Sequence, residues 1–119
     1  MALARPLVVN FYHGGNIRFI AYGLVQHAES TKTFTVVLRN EMYYLDFVSM
    51  IYQHVGVDRR NFKLKITQHF EDCGEPKSSP IISDETLDVM YFLAEKDENF
   101  CAHVHVEIEE IPRAYHGVV

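Results

Sequence analysis

Five carboxylates fall in two short stretches: Glu71, Asp72 and Glu75 around Cys73-Gly74, and Asp84 with Glu85 just after Ser83. Acids grouped this way can dock Lys or Arg from a partner, through steering and charge-assisted hydrogen bonds. They can equally be a solvated loop and the first-turn charges of a helix, which complement its dipole. They do not read as an acid/base pair, because neighbours on a helix point about 100° apart and share no reacting atom. Seven histidines raise the question of metal. His103 and His105, two residues apart on a strand, share a face and could hold one ion, with His69, His13 or Cys101 as the only conceivable further ligands. Nothing in the spacing demands a metal, and no metal or cofactor is expected. Glu107, beside the pair, would raise their pKa values and make that surface mildly pH-sensitive. Cys73 and Cys101 have no CxxC or Cys/His ladder around them and read as two free thiols rather than a disulfide. No Gly-rich phosphate loop, G-x-S-x-G or Cys/His pair in a recognisable setting is present, so no enzymatic activity is expected.

The elements that position these residues follow from periodicity. Residues 7–13 are β-branched and aromatic, stop at Gly14-Gly15-Asn16, and resume over 17–22, which predicts a hairpin. Residues 23–31 read as irregular. Residues 32–39 read as a further strand, or as the second strand continued past a bulge. Tyr44, Leu45, Phe47, Val48, Ile51, Tyr52 and Val55 fall on the helical i, i+3, i+4 pattern, with Asn40 as N-cap, Glu41 and Asp46 near the positive end and Gly56 as the stop. A strand with one wet face is expected over 62–66, a loop over 69–80, and a short strand at Ile81-Ile82. Ser83 should cap a second helix whose apolar face is Leu87, Met90, Tyr91 and Ala94. The last strand alternates strictly: Val104, Val106 and Ile108 inward, and His103, His105, Glu107 and Glu109 toward water or a partner. One domain over 7–110, with tails at 1–6 and 111–119, accommodates all of this.

The chain has 119 residues, 48% of them hydrophobic, so it can bury a core. Its net charge of −5 argues against nucleic-acid phosphate as the main partner. Short apolar runs leave no transmembrane helix, and the N-terminus lacks the layout of a signal peptide. An intracellular protein, nuclear or cytoplasmic, with no membrane partner is the expectation. Phe11, Phe19, Phe34, Phe47, Phe62 and Phe92 read as core. Tyr12, Tyr22, Tyr43 and Tyr44, interleaved with Arg18 and Arg39, suit a stacking platform or, given the charge, a protein interface.

An α+β roll with both helices on one face of a mixed sheet of four to five strands fits this order, and the ubiquitin-like β-grasp is the nearest known arrangement. Val9-Asn10-Phe11-Tyr12-His13-Gly14-Gly15-Asn16-Ile17-Arg18-Phe19 resembles the opening of Phox-and-Bem domains. Glu71-Asp72-Cys73-Gly74-Glu75 and Ile81-Ile82-Ser83-Asp84-Glu85-Thr86-Leu87 resemble that family's acidic motif and helix start. The acidic loop and Gly-Gly turn are also similar to the N-terminal domain of plant Mutator-like transposases and their domesticated relatives. The resemblance spans roughly residues 7–110 and implies association between a basic and an acidic face. The acidic side is Glu71, Asp72, Glu75, Asp84 and Glu85. On the basic side Arg18 stands at the second-strand position, but Asn10 replaces the first-strand Lys, which counts against head-to-tail polymers.

The function expected is protein–protein association, homotypic (a homo-oligomer) or heterotypic, through the acidic face or the backbone of an outer strand. The alternatives are a ubiquitin-like modifier or adaptor, which would require processing after Gly117, and a DNA-binding accessory domain of a transposase-derived protein.

Overall fold

The computed structural model describes residues 2–14 and 31–112, together with the backbones of two short strands at 17–20 and 24–27. In chain order the elements are β1 (Ala2–His13), β2 (Ile17–Ile20), β3 (Leu24–His27), β4 (Lys32–Asn40), α1 (Tyr44–Val55), β5 (Phe62–Asp72), β6 (Glu75–Pro80), α2 (Asp84–Lys96) and β7 (Cys101–Glu110). Five strands form one mixed sheet in the order β4-β1-β7-β5-β6, with β1 and β7 parallel at its centre and their neighbours antiparallel. Both helices cover one face. This is an α+β roll with the strand order of a ubiquitin-like β-grasp, and among the described residues its sheet is open at both edges.

Alternation along the central strands builds the core. Leu7, Val9 and Phe11 of β1 and Ala102, Val104 and Val106 of β7 point to the helices, where they meet Phe47 and Ile51 of α1 and Leu87, Met90 and Tyr91 of α2. Burying each of the larger side chains contributes about 1.5–3 kcal/mol. Phe11 stacks on Phe34 at 4.6 Å between ring centroids and tilts against Phe47 at 5.8 Å.

Strand pairing departs from the local reading. The antiparallel partner of β1 is β4, in the register Leu7↔Leu38 to His13↔Lys32, and among the described residues β2 pairs with β3 alone. β1 ends at His13 ahead of the Gly-Gly signal, and the expected hairpin between it and the strand at 17–20 is not formed among the described residues. The long apolar register with β4 outweighs the short one beside the glycines. The strand also begins at Ala2 rather than Leu7. Leu3 packs on the core and Arg5 donates to the carbonyls of Ala94 and Glu95 (3.1 and 3.2 Å), satisfying the end of α2, so residues 2–6 are no free tail.

Residues expected as a loop before Pro80 are instead strand. β5 runs on to Asp72 and returns as β6 through Cys73 (φ 53°) and Gly74 (φ 81°). Positive φ at both central residues makes the tight hairpin turn compatible with strand twist. Pro76 and Pro80 hide β6 from sequence reading, but it is an edge strand, where missing donors are tolerated. Ile81 is no strand; its N–H donates to Ile66 O at 2.8 Å and its side chain is buried.

The N-cap of α1 is Tyr43, with no side-chain cap, and not Asn40, which ends β4. Gly56 stops the helix in the left-handed region at φ 73°. Ser83 caps α2 in a reciprocal box with Thr86. Leu45, on the expected apolar face, is exposed, as is Phe92.

Candidate interaction surface

The five acids lie in two places. Glu71, Asp72 and Glu75 occupy the tip of the β5–β6 hairpin, where Asp72 sits opposite Glu75 and Glu71 opposite Pro76. Lys77 Nζ lies 3.0 Å from the Asp72 carboxylate and, with a hydrogen bond from Cys73, holds it below the usual carboxylate range. From this tip the hairpin returns over the register Asp72↔Glu75 to Thr67↔Pro80, a run of roughly 17 Å at 3.3–3.4 Å per residue. Only then does the chain pass Ile81 and Ser83 into α2, where Asp84 and Glu85 stand.

At that second place the starts of the two helices are tied together. Asp84 Oδ1 accepts the Tyr44 backbone N–H at 2.6 Å, supplying across the fold the cap that Tyr43 does not give. Tyr91 Oη accepts from Met42 N–H (2.8 Å) and donates to Met42 O (3.2 Å); burial pushes its phenol pKa up. The segment before α1 is thus fixed to α2 at two points, which presents its flanking side chains in a set geometry. Tyr43 (76% exposed), Leu45 (75%) and Ile82 (66%) are the most exposed large apolar side chains among the described residues. All three stand within two positions of the Tyr44–Asp84 bond in the chain, and Glu41, Asp46, Asp84 and Glu85, all exposed, belong to the same two segments. Tyr44 and Ile82 also line a groove of about 340 Å³ together with Leu64, Ile66, Pro80 and Ile81, and with two cations, Lys65 and Lys63, the latter 3.3 Å from Glu109.

Sequence reasoning flagged Asp84, Glu85 and, as a candidate interface aromatic, Tyr43, but missed Leu45 and Ile82. One signal was available. Tyr43-Tyr44-Leu45 is a run of three apolar residues at a helix start, and three consecutive positions cannot share one buried face.

The open face of the sheet gathers the histidines. His103 is in register with His69 on β5, and His105 with Tyr12 on β1 and Thr67 on β5. Tyr12 Oη and His103 Nδ1 are 2.9 Å apart, and the rings of His69 and His105 are 6.4 Å apart. Asn10 Nδ2 donates to Cys101 Sγ at 2.8 Å, while Asn10 Oδ1 accepts from Thr35 Oγ1 at 2.8 Å. His103 and His105 therefore lie half-buried on the central strand rather than facing open water. Burial lowers the pKa values of His69, His103 and His105. At His105 it outweighs the opposing pull of Glu107, so the upward shift expected from that neighbour is reversed. Among the described residues no group of three or more His, Cys, Asp or Glu is placed to hold a metal ion. Both cysteines are free thiols, Cys73 exposed and Cys101 half-buried; burial raises the Cys101 pKa despite the Asn10 hydrogen bond.

The Arg18 side chain lies outside the described residues, as does the expected tail from 113 onward. Among the described residues no helix is long and apolar enough to cross a membrane. No protein-family model, curated protein or solved structure matches this chain.

Proposed function

We propose that this domain is a protein-interaction module whose docking surface is the joined start of α1 and α2. The observation that carries this reading is that three strongly exposed apolar residues, Tyr43, Leu45 and Ile82, flank in sequence the Tyr44–Asp84 bond that ties the two helix starts, with exposed carboxylates beside them in the chain. Soluble domains seldom leave large apolar side chains grouped at a rigid point without a partner to cover them. An apolar centre with a charged rim is the anatomy of a protein interface. The rim is acidic, so the matching partner is a segment with apolar side chains flanked by Lys or Arg, steered in by opposite charge. The likeness of the Ser83-Asp84-Glu85 helix start to Phox-and-Bem domains supports the same direction of charge pairing, and a transposase-derived origin would fit a domain that works beside others. The hairpin-tip acids are a separate group and form no part of this surface.

The test is a nuclear-magnetic-resonance titration of the labelled protein with a short synthetic peptide alternating Leu and Lys, against its Leu/Glu counterpart. Shifts confined to residues 41–46 and 81–86 are expected with the Lys peptide, weakened by salt and by Leu45→Ser or Glu85→Lys. Shifts centred on the hairpin tip, or equal binding of the Glu peptide, would remove the basis for the reading.

A further inference from the structure

We infer that the outer edge of β4 pairs antiparallel with β4 of a second copy, joining two five-stranded sheets into one. This goes beyond the reading above and uses a different surface. The two edges of the sheet are unequal. β6 is six residues long and carries Pro76, Pro80 and Lys77, the features that blunt an edge against further pairing. β4 is nine residues long with no proline, and among the described residues no strand pairs with its outer side. The core layer is also unfinished there. Phe34 and Val36 pack against the core yet remain only partly buried, although Leu38 on the same strand is buried. Val37, on the open face beside Val8, is 49% exposed.

The sequence of β4 complements itself. A two-fold axis through Val36, perpendicular to the sheet, sets Phe34 against Leu38 of the second copy on the helix side. On the open side it sets Thr35 against Val37 and Thr33 against Arg39. Lys32 falls opposite Asn40, so no like charges meet, which matters because opposed like charges destabilise a pair. Sliding by one residue would place Lys32 opposite Arg39 and Phe34 opposite Val37, turning the apolar set to the wrong face. Slips of two residues keep the face but set Lys32 against Leu38 or Phe34 against Asn40, so the register through Val36 gives the fullest apolar match, and it closes on itself as a dimer. The net charge of −5 opposes association, but the edge itself carries Lys32 and Arg39, and salt screens the remainder.

The experiment is sedimentation velocity over a concentration series at physiological salt, on the unmodified protein and two double variants. The unmodified chain is expected to show a monomer–dimer equilibrium and nothing larger. Thr35→Lys with Val37→Lys sets Lys against Lys at both symmetric positions and should weaken the dimer at least roughly tenfold. Thr35→Glu with Val37→Lys sets Glu against Lys at the same positions and should retain it. Amide exchange in β4 of the unmodified protein, slowing as concentration rises, tests the contact without any substitution. A monomer at all concentrations, a dimer indifferent to the Lys/Lys change, or open-ended oligomers would each overturn the inference. None of these results would bear on peptide docking at the helix starts.

Discussion

Replacing Asp84 separates a structural carboxylate from one held ready for a partner. Its Oδ1 accepts the Tyr44 N–H at 2.6 Å, and α1 has no cap of its own because Tyr43 offers no side-chain acceptor. Asp84→Ala therefore leaves the first turn of α1 without a side-chain partner. Loss of an N-cap acceptor costs about 1 kcal/mol, within a range of about 0.5–2. Asp84 also stands in the first turn of α2, where removing a carboxylate costs about 0.3–1 kcal/mol, toward the lower figure at an exposed site. Together the expected loss is about 1–2 kcal/mol. Glu85→Ala removes only the dipole term and should cost no more than about 0.5 kcal/mol. Asp84→Asn keeps an acceptor oxygen and should fall between the two. The assay is equilibrium urea unfolding followed by circular dichroism, with stabilities compared only where the slope with denaturant is unchanged. If Asp84→Ala cost no more than Glu85→Ala, the cross-fold cap would be energetically empty, and the fixed geometry argued for Tyr43 and Leu45 would lose its cause.

Three further outcomes follow from local geometry. Gly56→Ala should destabilise by about 1–2 kcal/mol in the same assay; φ is 73° and a Cβ would meet nothing within 4 Å, so the cost is purely conformational and insensitive to side-chain size beyond Ala. Stability should be complete above about pH 6.5 and fall as the solution is acidified from there, because burial depresses the folded-state pKa values of His69, His103 and His105 and the unfolded chain then takes up protons first. Urea midpoints measured across that window should decline more gently in His105→Gln, and a flat profile in the unmodified protein would contradict the burial of these rings. With a thiol-disulfide reagent Cys73 should react first and Cys101 slowly, since one is exposed and the other half-buried with a raised pKa; Cys73→Ser should abolish the fast phase.

What was legible in the sequence is what is local. The Ser83 cap, the Gly56 stop and the alternation of Val104 and Val106 depend on residues a few positions apart, and each stands where its pattern predicts. Strand pairing is non-local. The Gly-Gly signal invited pairing with the nearest run, but seven consecutive partners between Leu7–His13 and the later strand bury more than four beside a turn can. The prolines of β6 argue against a strand only while its edge position is unknown. At the candidate site the sequence pointed to Asp84 for its charge. Its bond to Tyr44 spans forty positions and leaves no local signature. The Tyr43-Tyr44-Leu45 run signals that one of the three must be exposed, but a helical wheel ranks Leu45 with Tyr44 and Val48, so which one is settled only when the second helix defines the covered side.

The helix-start surface and the β4 edge differ in what holds them, and salt distinguishes them. Docking at the helix starts gains from Glu41, Asp46, Asp84 and Glu85, all exposed, so raising ionic strength shortens the reach of their field and weakens binding of a basic segment. Pairing along β4 rests on backbone hydrogen bonds and the closing of a half-finished apolar layer, with cations set opposite neutral residues. Salt then relieves the repulsion between two chains of charge −5 while leaving those bonds in place. Self-association should accordingly hold steady or strengthen as salt rises, while capture of a basic peptide falls. Self-association that dissolves in salt would instead mean that one copy's acids meet another copy's cations, and the strand-edge assignment would give way to charged faces.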